Sequence, residues 1–407
     1  MDIINLNSFL EFGYFLDYKF PDYSVDFSRT DKLKYKNVDE ELLIDTGISL
    51  WNNAIDKQFV NNEKHVIPLS GGLDSRAILG SLLKYTDAKN IHTYTFGTPG
   101  TFDFDIGNKI AKIIGTNHTN FPLTKYNYSI DDLIGISGRV DHQTLLFLHP
   151  PVSMIDNLFS DFNVWSGTII DVFFGRHNHL KKANNLKDGI LNSFSENKYV
   201  ESINLTKNGE YDYSKYISFD QAAAKTHAYE HIIDLLNRQL KFIAPHVLMK
   251  GYNYKTLLDD DLTDFALSID EKLLANQYLY KKIFVKEFPY LFSLPNKTSQ
   301  GLSLNPSVIN KFSNILIKGV NSCKRRLRIN YTDPNLNYID FNHGIRNRKD
   351  LNTIIYSSIM DLKERKIIDW INIDNIWKRH INNDSDHADA LITLASLEIH
   401  LKAGKSL

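Results

Sequence analysis

His65-Val-Ile-Pro-Leu-Ser-Gly-Gly-Leu-Asp-Ser-Arg-Ala-Ile-Leu-Gly80 is the stretch on which the reading of this chain turns. A short apolar run, Val66 to Leu69, reads as a strand and leads into Ser70-Gly71-Gly72-Leu73-Asp74-Ser75. An Ala/Ile/Leu-rich segment from Arg76 to Leu83 then reads as a helix. A strand, a glycine turn and a helix start aim several backbone N–H groups and the positive end of a helix dipole at one point. The glycines let the backbone approach a ligand without a Cβ in the way, and the hydroxyls of Ser70 and Ser75 are further donors. A phosphate cradle is the natural reading. The turn lacks the Gly-Lys-Ser/Thr ending of a Walker loop and the G-x-G-x-x-G spacing of a dinucleotide fingerprint.

The turn resembles the pyrophosphate loop, S-G-G-x-D-S, of the ATP pyrophosphatases. Those enzymes cleave ATP between its α and β phosphates and adenylate a substrate. The motif stands between a strand and a helix, the context such a match requires.

Composition narrows the alternatives. Of 407 residues, 43% are hydrophobic and 23% charged, as in a globular protein with room for two domains or one enlarged one. The net charge of −1 supplies no basic field for a nucleic acid. Cys323 is the only cysteine, which excludes intrachain disulfides, thiolate zinc sites and a CxxC sulfur relay. No apolar run approaches the roughly twenty residues that span a bilayer. The amino terminus lacks a secretory pattern, so a cytoplasmic location is expected, with neither membrane nor nucleic acid as a partner.

Residues 1–40 read as an aromatic, irregular lead. Glu40 to Phe59 has helical spacing. Strands are expected at Ile91–Phe96, Thr119–Leu123 and Phe162–Trp165, and helices at Asp105–Ile114, Asp131–Gly138 and Val152–Leu158. Alternation of this kind predicts a parallel sheet with helices on both faces. Right-handed crossovers gather the strand C-termini on one edge, where ligands sit. Ser70, Gly97 and Gly167 fall there. Past residue 180 the strand signal fades; 181–215 reads as an insertion or loop. Helices are expected at Gln221–Phe242, Thr263–Ala266, Leu279–Glu287, Ile309–Gly319, Asn352–Arg365 and Ala388–Ala403. The expected division is an ATP-binding α/β core over 41–180 and a helical C-terminal part over 216–407.

Several segments, in order, resemble the synthetase domain of asparagine synthetase and its relatives, the β-lactam synthetases and lasso-peptide cyclases. Thr93-Tyr-Thr-Phe-Gly97 resembles that family's second strand, and Ile113-Ile-Gly-Thr-Asn-His118 its "Leu-Gly-Thr-x-His" finish. Ser166-Gly-Thr-Ile-Ile-Asp-Val-Phe-Phe-Gly175 resembles "Ser-Gly-Glu-Gly-Ala-Asp-Glu-Leu-Phe-Gly". Leu257 to Leu262 resembles "Pro-Phe-Leu-Asp-x-x-Leu". Lys281-Lys282-Ile283 is similar to "Lys-x-Leu", and Pro295 to Gly301 to "Arg-x-Lys-x-Gly". The implied fold is of the adenine nucleotide α-hydrolase-like type, a Rossmann-like HUP sheet with a helical C-terminal elaboration.

The resemblance implies residue roles. Leu69, Ser70, Gly71, Gly72, Asp74, Ser75, Gly97 and Gly167 are expected to bind ATP, the serines and loop glycines at its pyrophosphate. Asp74 and Asp171 are expected to hold Mg²⁺, and Lys297 and Lys282 to act in catalysis. His118 reads as structural, and His142 to His149 as loop histidines rather than a zinc set; Arg176 and His177 are candidate acceptor contacts. Two departures matter. The family's N-terminal glutaminase domain is not expected here, because Asp2 follows Met1 and the lead is short. The glutamates flanking the aspartate have become Thr168 and Val172. The expected activity is an AMP- and pyrophosphate-forming ligase that adenylates a small-molecule or peptide carboxylate and transfers the acyl group to an amine. Free ammonia, a separate glutaminase subunit and an internal amine all remain open as nitrogen sources. The competing readings are a nucleoside- or sulfur-modifying pyrophosphatase and a nucleotide-binding regulatory or scaffold protein without turnover.

Overall fold

The computed structural model describes residues 2–141, 143–176, 181–207, 212–304 and 332–406. The helix expected at Ile309–Gly319, together with His142, His177 and Cys323, lies outside the described residues. Strands β1 (His65–Pro68), β2 (His92–Gly97), β3 (Asn117–Pro122), β4 (Asn163–Ser166) and β5 (Asn253–Thr256) form one sheet in the order β3-β2-β1-β4-β5. Every pairing is parallel. Val66 of β1 is in register with His92 on one side and Val164 on the other. From β1 the chain moves out through β2 and β3, then returns across β1 to β4. The order therefore reverses between β1 and β4, and a crevice opens at their carboxyl ends.

Successive strand residues point to opposite faces, and the two faces have different covers. Ile67 and Trp165 pack with Trp51, Ile78 and Ile110 from the helices Glu40–Asp56, Asp74–Leu82 and Phe102–Ile114. Phe265 and Ile283, from the helices Asp260–Ser268 and Tyr278–Glu287, close the same core. On the other face Val66, Tyr94, Phe121 and Val164 meet Ile155 and Phe159 of the helix Val152–Phe159. Side-chain caps fix several helix starts: Asp39 accepts from Glu41 N–H at 2.9 Å and Ser129 from Asp132 N–H at 3.1 Å.

A separate helical core packs around the helix Ala388–Lys402, whose apolar residues run around its circumference, as befits a buried helix. Its Glu398 carboxylate is buried and paired with Arg365 at 2.6 Å.

Three sequence expectations change. The lead is not irregular throughout: Ile3–Phe12 is a helix capped by Asp2, and its Leu6, Phe9 and Leu10 are buried against the C-terminal helical core. The segment 181–215 contains the helix Leu186–Glu196 rather than a plain loop. The helix expected from Gln221 starts at Tyr229 and continues as a π-helix over Leu235–Ile243. β5 had no expectation at all.

Candidate active site

The loop Ser70–Leu73 joins β1 to the helix Asp74–Leu82 at the switch point of the sheet. Ser70 N–H donates to Ser75 Oγ at 3.2 Å, and Gly72 N–H to Ser70 Oγ at 3.2 Å. The hydroxyls of Ser70 and Ser75 lie 3.3 Å apart. Gly71 is required by close approach, since a Cβ there would stand 2.7 Å from the Phe102 carbonyl oxygen. Leu69 is anchored beneath the loop, where its N–H donates to Tyr94 O at 2.7 Å and its carbonyl accepts from Thr95 Oγ1 at 2.6 Å.

The loop opens on a cleft lined also by Leu69, Asp103, Asp171, Arg176, Lys297 and Tyr338. The loop is therefore neither occluded nor remote from Asp171 and Lys297. Lys297 N–H donates to the Gly71 carbonyl at 2.8 Å, so the two motifs touch through their backbones. Its ammonium is paired with Asp103 at 2.5 Å and donates to Asn337 Oδ1 at 2.6 Å. Asn296, fully buried, shapes the turn that carries Lys297: its Oδ1 accepts from Ser299 N–H at 2.8 Å and its Nδ2 donates to Leu302 O at 3.0 Å.

Arg76 ties this turn to the loop helix from below. Its buried guanidinium donates to Leu291 O and Leu294 O at 3.0 Å each, and to Pro295 O at 2.6 Å. Burial pulls the guanidinium down to about 10, still protonated at neutral pH.

Asp171 sits on the turn after β4, 5% exposed, and is paired with Arg176 at 2.7 Å. Asp74 accepts a hydrogen bond from Tyr280 Oη. Burial first, and then the negative charge of Asp171, raise the Asp74 carboxyl to about 7, against the opposing bond from Tyr280 and the charge of Arg176. Gly167 lets the turn after β4 approach Asp74 closely, because a Cβ there would lie 2.6 Å from the Asp74 Cβ. On the same turn Ile169 has φ +72°, which is strained for a β-branched residue. It stands where the resembled Ser-Gly-Glu-Gly-Ala-Asp pattern has its second glycine, a residue that takes this φ without strain.

The remaining candidates have mixed fates. Gly97 ends β2 on the cleft edge with φ +142°, next to Phe96, which lines the cleft. His118 bridges Thr93 and Asn108 at 2.8 and 3.0 Å, a structural tie. Lys282 is not brought to the cleft: it is exposed, with its ammonium over the Tyr278 ring. The same helix contributes Tyr280 instead. Tyr280, Asp103, Asn337 and Tyr338 were missed, being common residue types without a spacing signal. Among the described residues no group of three or more metal-ligating side chains converges, and no helix is long and apolar enough to cross a membrane.

Residues 49–138 match the Asparagine synthase family model. The matched span covers β1 to β3 and the whole loop Ser70–Leu73, and bears out the asparagine synthetase resemblance there. No curated protein matches the chain. An asparagine synthase domain is, in general terms, that of an ATP-dependent amide-forming ligase. Asp171 and Lys297 lie outside the matched span; their place beside the asparagine synthase-like loop comes from the tertiary structure alone.

Proposed function

We propose that this chain adenylates a carboxylate with ATP, releasing pyrophosphate, and then passes the acyl group to ammonia or an amine, releasing AMP. The observation that supports the reading is the hydrogen bond from Lys297 N–H to Gly71 O, which ties the Lys297 turn to the glycine loop while the Lys297 side chain lines the same cleft. In the first step a carboxylate oxygen attacks the α phosphorus, the α–β bridging P–O bond breaks, and the electron pair leaves with pyrophosphate. N–H groups of the loop and the hydroxyls of Ser70 and Ser75 hold the departing phosphates. Lys297, released from Asp103 when phosphate oxygens compete for it, stabilises charge growing at the α phosphate. In the second step the amine nitrogen attacks the acyl carbon, loses a proton and expels AMP.

Asp74 and Asp171 suit a Mg²⁺ ion shared with phosphate oxygens. The half-buried Asp74 carboxyl, raised by desolvation and by the charge of the buried Asp171, would with Asp171 form a donor set that a divalent cation relieves. When bound, the ion supplies positive charge to the phosphate oxygens.

The test is acid-dependent ATP–pyrophosphate exchange by the wild type and by Asp74→Ala and Lys297→Ala. The expected result is exchange that needs one acid, disappears in Asp74→Ala, and drops about a hundredfold or more in Lys297→Ala. ATP binding without exchange for any acid overturns the reading. It would favour a silent regulatory or scaffold module, the alternative supported by Thr168 and Val172 in place of glutamates.

A further inference from the structure

A second cavity opens off the nucleotide cleft and follows the sheet face that carries Tyr94 and Val164. The two share a mouth formed by Ser70, Asp74, Asp171, Arg176 and Tyr338. Past that mouth the walls are Ile155, Val164, Met249, Tyr252 and Tyr254, while Tyr94 lines both cavities. Among the described residues the lining carboxylates and guanidinium (Asp74, Asp171 and Arg176) are all at the mouth. His246 also lines the cavity, but burial holds its imidazole down to about 4, so it is neutral at pH 7. The inner tyrosine hydroxyls are turned to protein partners: Tyr252 donates to Asp156 Oδ1 at 2.5 Å and Tyr254 to Val247 O at 2.7 Å.

A pocket of this kind selects against charge. Aspartate would carry an ammonium and a second carboxylate into it, and an ionised group buried without a partner is strongly disfavoured. A flat apolar body instead finds aromatic walls in Tyr94, Tyr252 and Tyr254. We propose that the acid activated here is an arylalkanoic acid whose carboxylate stands at the Ser70–Asp171 mouth while its ring fills the inner cavity. This inference rests on the ligase reading and specifies its acceptor.

Exchange is measured with phenylpropanoate, octanoate and L-aspartate, and phenylpropanoate binding is measured by calorimetry with ATP present. Met249→Trp fills the cavity from a loop position; Val247→Trp does so from a more exposed site and serves if the first variant misfolds. Melting temperatures are read alongside. Phenylpropanoate is expected to drive exchange at least about a hundredfold better than L-aspartate, and a tryptophan variant to lower that exchange at least tenfold. L-aspartate equal to phenylpropanoate overturns the inference but leaves the ligase reading standing. So does exchange in both folded tryptophan variants at the wild-type rate. Octanoate above phenylpropanoate overturns the aromatic assignment. If no acid supports exchange, phenylpropanoate binding that a tryptophan variant weakens keeps the pocket and removes the ligase reading. Absence of both exchange and binding removes both.

Discussion

Arg76→Met tests the strap that holds the Lys297 turn against the loop Ser70–Leu73. Arg76 is fully buried, and its partners are three carbonyls, at 3.0, 3.0 and 2.6 Å. Each bond from a charged donor is worth about 1.5–3 kcal/mol net of water. Against their sum stands the several kcal/mol needed to desolvate a guanidinium. Methionine restores apolar contact with Phe292 but leaves the carbonyls of Leu291, Leu294 and Pro295 without their donor. The expected net loss is about 3–5 kcal/mol, from three carbonyls left unpaired at about 1–3 kcal/mol each, less the desolvation cost that methionine avoids, read as a lowered urea midpoint. Arg76→Lys, which has the charge but no planar fork, should fall between wild type and Arg76→Met. A second readout separates strap from filler. Pro295 lies two residues before Lys297, so acid-dependent exchange in folded Arg76→Met should fall at least about tenfold through misplacement of the ammonium. A loss of stability under about 1 kcal/mol, or unchanged exchange in the folded variant, would refute the argument.

Ile169→Gly and Ile169→Ala should reverse their usual order. Both lose the burial of a side chain only 2% exposed, but glycine alone also relieves the positive φ, worth about 1–3 kcal/mol; urea midpoints with alanine above glycine would contradict the strain. Gly71→Ala should push the loop from Phe102 O, where its Cβ would stand at 2.7 Å, and weaken ATP binding at least about tenfold by calorimetry, with an unchanged affinity as the contrary result. The rings of His149 and His246 lie 4.0 Å apart, tilted by 33°; burial holds His149 well below its ordinary range, helped by His246, and takes His246 to about 4. Their folded pKa values lie below the unfolded value near 6.5, so their stability contribution is present above that pH and is lost as pH falls toward about 4. His149→Phe should flatten that acid slope in melts taken from pH 7 to pH 4, and an identical slope would exclude His149 as a source.

The sequence alone determined what is local. Val66 to Leu83 specified a strand, a tight glycine turn and a helix start, because close approach and the dipole depend on neighbours in the chain. Alternation of apolar runs with helical spacing specified a parallel sheet through β4. Tertiary structure decided what depends on distant packing. β5, Asn253-Tyr-Lys-Thr256, has no apolar run to announce it and is a strand because β4 offers it a free edge. Ile3–Phe12 is a helix buried among other helices, so no single apolar stripe marked it. Lys282 and Tyr280 are two residues apart on one helix, about 200° around its axis. Only the packing of that helix against the loop could choose which of them faces Asp74, and it chose the tyrosine. Likewise the Lys297 motif was legible, but its seat on Gly71 and its partner Asp103 were not, because contacts between residues so far apart in the chain leave no periodic trace in it.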